Sequence, residues 1–151
     1  ESRGLGDVYK RQIYDHFGKN FLNKKNEEYF DIIIGINVFA HFKKVSESFK
    51  TINKLLNDEG RFLFEVAYAV PTLFSGNFDT VYHEHVFNHT ITGLKSMLSN
   101  AGFEIESVKL INTQGGSIRV IAKKNKNKTK LRKTIGLLLK EKKRGLNKYY
   151  F

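Results

Sequence analysis

The apolar positions of this chain change period several times, and each change marks an element. Residues 30–38 (FDIIIGINV) form a short, β-branched apolar run without polar alternation. Such a run predicts a strand buried on both faces, and hence a parallel sheet. Over 44–57 the spacing becomes helical, with Val45, Phe49, Ile52, Leu55 and Leu56 on one side. Ser46 and Glu47 stand early in this stretch, and Asp58-Glu59-Gly60 supplies a stop. Residues 61–68 (RFLFEVAY) predict a second strand, so strand, helix and strand make one crossover unit.

The stretch 69–89 has no obvious period and predicts a long connection. Long connections in compact domains are usually functional or disordered, and Phe74, Phe78, Tyr82 and Phe87 argue against disorder. Thr90 is placed to cap a helix reaching about Asn100, with Leu94, Met97, Leu98 and Ala101 inward and Gly102 closing it. Residues 103–111 and 117–123 predict two strands, joined as an antiparallel hairpin across Gly115-Gly116. That glycine pair reads first as a turn needing positive φ, and second as a place where backbone approaches a ligand. Residues 124–130 read as a Lys/Asn linker. Residues 131–146 predict an amphipathic helix with Leu131, Ile135, Leu138, Leu139 and Leu146 on one stripe.

Length and composition narrow this further. A chain of 151 residues, 40% apolar and 13% aromatic, suits one domain with a real core. The absence of cysteine excludes a disulfide scaffold and a thiolate zinc site. No apolar run approaches the roughly 20 residues of a spanning helix, so no membrane partner is expected. No secretory signal pattern is visible, which makes a cytoplasmic setting the expectation.

The net charge of +11 is not spread evenly. Residues 1–118 carry 13 basic and 14 acidic side chains, whereas 119–151 carry 13 basic and 1 acidic. One alternative reading is therefore a basic nucleic-acid-binding module through residues 119–148, whose affinity would fall steeply with salt. Against it, 20 of the 26 basic residues are lysine, arginine forks are few, and no aromatic residue interleaves the lysines before Tyr149. Nucleic acid is thus not the expected partner. Residues 1–12 (ESRGLGDVYKRQ) show no clean period and resemble a translated adaptor, so they are set aside. That leaves 13–124 as a partial domain, and 125–151 as a linker with the first helix of a following, truncated one.

In open α/β sheets ligands sit at the carboxyl ends of the strands. The first strand ends near Asn37, so Asn37–His41 lies at that edge, and the long connection leaves the second strand from the same edge. This connection carries Tyr82-His83-Glu84-His85, with His89 four residues on. In principle His83, His85 and His89 could ligate zinc beside Glu84. However, a zincin needs His-Glu-x-x-His, and Phe87 stands where the second His would be, so no metal is expected. Proton transfer fits better. Histidine titrates near neutral pH, a neighbouring carboxylate orients it, and a tyrosine hydroxyl can stabilise an enolate. The constellation suits removal of a proton α to a carbonyl.

The stretch Phe78-Asp79-Thr80-Val81-Tyr82-His83-Glu84-His85 resembles the signature of sugar C-methyltransferases, which act on nucleotide-linked 4-keto-6-deoxy sugars with S-adenosylmethionine. Further similar elements follow in order: Asn37-Val38-Phe39-Ala40-His41, Gly60–Val66, Leu94–Gly102, Gly115-Gly116-Ser117-Ile118-Arg119 and Leu137–Gly145. The resemblance covers roughly residues 29–148. It implies the latter half of a Rossmann-like class I methyltransferase domain, an α/β fold of parallel strands ending in an antiparallel hairpin. It implies His85 as the base, Tyr82 and Glu84 as groups that position the sugar or stabilise the enolate, and His41 as a second acid/base group. Asn37 and Val38 would line the cofactor side. Family members usually show Pro at the position of Ala67 and His at that of Gln114. The family's cysteine-rich zinc domain and glycine-rich cofactor loop have no counterpart in this sequence, and most of its sugar-nucleotide domain is missing. The chain alone is therefore expected to be inactive and to bind cofactor poorly. Another class I methyltransferase with a small-molecule acceptor is the remaining alternative.

Overall fold

The computed structural model describes Phe17, Leu22 and residues 30–76, 88–113, 115–125 and 135–146. Four strands form one mixed sheet: β1 (Phe30–Ile36), β2 (Leu56–Ala67), β3 (Phe103–Ile111) and β4 (Ser117–Lys124), in the order β1-β2-β4-β3. β1 and β2 run parallel, while β4 pairs antiparallel with both β2 and β3. The helices are α1 (Val45–Leu55), α2 (Ala69–Ser75), α3 (Ile91–Asn100) and α4 (Ile135–Lys143), and Phe39–His41 adds a single 3-10 turn.

Local chemistry explains these boundaries. Val45, Phe49 and Ile52 recur at helical spacing and are buried, which holds α1 against β2. The Thr90 side chain accepts from the Gly93 amide at 3.0 Å and starts α3. Gly102 ends α3 with φ of 82°, a left-handed turn that glycine adopts without strain. Its carbonyl accepts from Asn53 Nδ2 of α1 at 3.2 Å and from the Asn125 amide at 2.8 Å, so one carbonyl ties α1 to the exit of β4.

The core lies on one face of the sheet. Phe62, Phe64 and Val66 of β2 and Ile118, Val120 and Ala122 of β4 are buried there with Phe103 and Ile105 of β3. Leu94 and Leu98 of α3 cover them, while Met97 is only partly buried beside the cluster. The opposite face carries ion pairs across strands. Arg61 Nε donates to Glu106 at 2.8 Å, Lys123 lies 3.1 Å from Glu104, and Arg119 Nε donates to the buried Glu65 at 2.5 Å. Arg119 is thus the partner of a buried carboxylate rather than a plain surface charge.

Four sequence expectations change. β1 is not buried on both faces: Ile32, Ile34 and Ile36 are 62%, 63% and 44% exposed, because among the described residues the helices cover one side only. β2 begins at Leu56 rather than residue 61, since Leu55 and Leu56 are both buried and the chain passes straight from helix to strand. Asp58-Glu59-Gly60 therefore lies inside β2, where the pairing with β1 slips between Phe30 and Ile32. The connection 69–89 opens with a helix, α2. Finally, α4 faces the core through Leu137 and Leu138, while Leu139 is 51% exposed. Leu131 lies outside the described residues.

Candidate active site

The carboxyl edge of the sheet gathers four chain segments. β1 and β2 are parallel, so Asn37 and Tyr68 emerge at the same edge, and the Asn37 amide donates to the Glu65 carbonyl at 3.1 Å. Asn37 adopts φ of 54°, the left-handed region that asparagine tolerates better than most residues. This sharp turn sets its half-buried side chain and the 39% exposed Val38 at the rim. The β3–β4 turn reaches the same edge, because Ser117 is paired with Ala67.

Here Gly115 and Gly116 have φ of 74° and 116°, and the Gly116 carbonyl accepts from the Tyr68 amide at 3.1 Å. A Cβ on Gly116 would stand 2.6 Å from Pro71 Cγ. The pair serves the turn, and its close approach is to Pro71 of α2.

The fourth segment is the return of the long connection. His89 lies beside Tyr68 in a parallel bridge. The His89 amide donates to the Ala67 carbonyl at 3.1 Å, and the Ala69 amide donates to the His89 carbonyl at 3.0 Å. Both ends of the segment that carries Tyr82, His83, Glu84 and His85 are thereby joined beside the β2 exit. Those four residues, with Phe78, Phe87 and Gln114, lie outside the described residues. Among the described residues no group of three His, Asp or Glu is placed to hold a metal.

Burial sets the electrostatics of this edge. His89 is buried, and loss of solvent pushes its imidazole down to about 4 from 6.5. It is therefore neutral at physiological pH. The Tyr68 hydroxyl is raised above its ordinary range, first by burial and then by the charge and hydrogen bond of Glu141, with Arg144 opposing. It stays protonated and donates to that carboxylate.

The His89 shift predicts a pH dependence of stability. The unfolded chain takes up a proton near pH 6.5, whereas the folded one resists until about 4. Stability is thus complete above the unfolded value and is lost as pH falls through the window between the two. Between pH 7 and pH 4.5 the loss is about 2–3 kcal/mol. Urea unfolding at both pH values should show that extra loss for the wild type against His89→Gln; equal losses would contradict it.

Comparison with known proteins now adds to this geometry. Residues 7–108 match the family described as methyltransferase domain. The chain belongs to that family. Over 91 residues this methyltransferase domain is 32% identical to the C-methyltransferase NovU of Streptomyces niveus, an alignment covering 60% of the chain and 22% of NovU. The chain spans about a fifth of the length of that curated relative. Among solved structures it is similar to the magnesium protoporphyrin IX methyltransferase ChlM of Synechocystis PCC 6803, solved with S-adenosylhomocysteine. There the TM-score is 0.50 and the identity 16%, over 63% of this chain and 45% of that one. It is also similar to the 1,6-didemethyltoxoflavin-N1-methyltransferase of Burkholderia thailandensis, with TM-score 0.51 and 17% identity over 65% of this chain and 45% of that one. At such identities the likeness is one of fold, and the fold is the Rossmann-like class I methyltransferase fold.

The methyltransferase domain thus brings together Asn37, Val38, Tyr68, His89 and the Gly115-Gly116 turn. His41 ends the 3-10 turn that follows β1, with an exposed side chain. Sequence reasoning missed Tyr68 and Glu141. Tyr68 is the last residue of an expected strand, and Glu141 sits in a run of lysines. The available signal was that Glu141 is the only acid among residues 119–151 and falls on the stripe of Leu137 and Leu138, four and three residues before it. No helix among the described residues is long and apolar enough to cross a membrane.

Proposed function

We propose that this methyltransferase domain belongs to an enzyme that moves the methyl of S-adenosylmethionine onto a carbon α to the ketone of a nucleotide-linked deoxysugar. The observation that carries the proposal is the joining of Tyr68 and His89 at the carboxyl edge, beside Asn37. It brings the two ends of the segment that carries Tyr82-His83-Glu84-His85 to the edge where an α/β sheet takes its ligands. The likeness to a C-methyltransferase supports carbon as the acceptor. The sugar rests on the resemblance of residues 78–85.

Asn37 and Val38 fit one wall of a cofactor site. A half-buried amide beside an exposed apolar side chain suits a ligand that is part nucleoside and part aliphatic chain. S-adenosylmethionine, when bound, supplies an electrophilic methyl group. His85 takes the proton from the carbon next to the ketone, leaving an enolate whose carbon is the nucleophile. Tyr82 and Glu84 position the sugar and stabilise the enolate oxygen, Tyr82 through its hydroxyl. His41 is the second proton carrier.

The test is calorimetric titration of S-adenosylhomocysteine into the natural protein that contains this chain. An assay with a nucleotide-linked 4-keto-6-deoxy sugar follows. Stoichiometric binding and a product with a new carbon-bound methyl are expected. A folded protein that binds S-adenosylhomocysteine but methylates only oxygen or nitrogen acceptors would remove the C-methylation reading. A folded protein that does not bind it would remove the cofactor.

A further inference from the structure

Glu141 is the single acidic residue among residues 119–151, against 13 basic ones. A lone acid in such a run would ordinarily be solvated among lysines, and Lys140, Lys142 and Lys143 are indeed exposed. Glu141 is 0% exposed. Burying an ionised carboxylate is costly unless donors surround it.

Here the donors are supplied in full. Oε1 accepts from the Ile91 amide at 2.7 Å. Oε2 accepts from the Thr92 amide at 2.9 Å and from Thr92 Oγ1 at 2.6 Å. The Tyr68 hydroxyl donates to the same carboxylate. Two of these donors are first-turn amides of α3, which have no intrahelical partner and carry the positive end of the helix dipole. An apolar side chain of similar size could fill the space without ordering four donors. The arrangement therefore specifies position.

The positions matter because they flank one segment. Tyr68 immediately precedes α2, and Ile91 and Thr92 follow His89. Arg144, in the turn that follows α4, makes another contact in the same segment, its guanidinium lying 4.9 Å from the centre of the Phe74 ring of α2. One helix and the turn after it thus touch the chain where it leaves β2, along α2, and where it enters α3.

We propose that Glu141 is a positioning residue that clamps the two ends of segment 69–90 and so fixes where that segment leaves and rejoins the sheet edge. The link to catalysis rests on the function proposed above; the clamp itself does not.

The test is amide hydrogen exchange on the natural protein, comparing wild type with Glu141→Gln and Tyr68→Phe. In Glu141→Gln one carboxylate oxygen becomes an NH2 donor and the other loses its charge, so one of the Ile91 and Thr92 amides loses its acceptor, the other keeps a weaker one, and the pair should exchange at least tenfold faster. A clamp predicts the same for the Ala69 and His89 amides, which Glu141 does not touch, while Val120 in β4 and Leu98 in α3 keep wild-type rates. Tyr68→Phe, which removes one hydroxyl and preserves packing, should shift Ala69 and His89 in the same direction by a smaller factor. Acceleration confined to Ile91 and Thr92 would make Glu141 a local cap and overturn the proposal. So would Tyr68→Phe leaving Ala69 and His89 unchanged. In the methyl-transfer assay Glu141→Gln should lower kcat about tenfold and leave the KM for S-adenosylmethionine within twofold; unchanged kcat would sever the clamp from catalysis and overturn the proposal. Absence of transfer by the wild type would instead defeat the function reading, and the exchange rates would still decide the clamp.

Discussion

Phe39→Ala is expected to lower the stability of the protein by about 3–5 kcal/mol, the range for truncating a buried phenylalanine. Phe39 is 3% exposed, and its ring centroid lies 5.3 Å from those of Phe42 and Phe49 and 5.6 Å from those of Phe62 and Phe64. All four contacts are edge-to-face, the geometry in which ring quadrupoles attract. The backbone of β1 rests on this ring: a Cβ at Gly35 would stand 2.5 Å from Phe39 Cε2. Neighbours drawn from the residue after the 3-10 turn, from α1 and from β2 cannot all collapse into the vacated volume. The same cavity would open beneath Asn37–His41, so S-adenosylhomocysteine affinity should fall with stability. Urea unfolding checks the first expectation, with Leu139→Ala as control. Leu139 is 51% exposed, and its truncation should stay within about 0.5 kcal/mol. A Phe39→Ala cost no larger than that of the control would mean that the aromatic cluster does not organise this core.

That cluster also shows which features the sequence made legible. Phe49 and Ile52 carried the helical period, and the Phe30–Ile36 run marked a strand, because burial of a long periodic segment leaves a repeating imprint. Thr90 and Gly102 marked the two ends of α3 through backbone chemistry that only a few residue types satisfy. α2 escaped because seven residues hold too few turns to show a period, and Pro71 reads as a breaker. Proline is nevertheless tolerated in a first turn, where amides lack intrahelical partners, and Pro71 is the third residue of α2. The exposed side of β1 escaped for a different reason. The isoleucines show that both sides of the strand suit burial, but not what covers them. Glu141 escaped because its role exists only once α4 meets α3. For the site, the reading of Asn37 and Val38 at the carboxyl edge agrees with their placement, while Tyr82, His83, Glu84 and His85 lie beyond the described residues.

In the natural protein, with a nucleotide-linked 4-keto-6-deoxy sugar and no methyl donor, His85→Ala is expected to slow solvent deuterium uptake at the carbon next to the ketone. The expected loss is about 10²–10⁴-fold, the contribution of a positioned general base. The three histidines of the 83–89 cluster are not equivalent candidates. Burial holds His89 at about 4, so it would be a weak base at neutral pH, and its backbone groups already bind Ala67 and Ala69. A base works best when its own pKa lies near the working pH. Uptake should therefore rise with pH through the inflection at which the base loses its proton. His89→Gln should leave that inflection in place. His41, exposed at the end of the 3-10 turn after β1, is the remaining described histidine at this edge, and His41→Ala should cause the smaller loss. If His85→Ala kept wild-type uptake while His41→Ala abolished it, the base would sit at the end of β1. The Tyr82–His85 segment would then serve only to bind and orient the sugar.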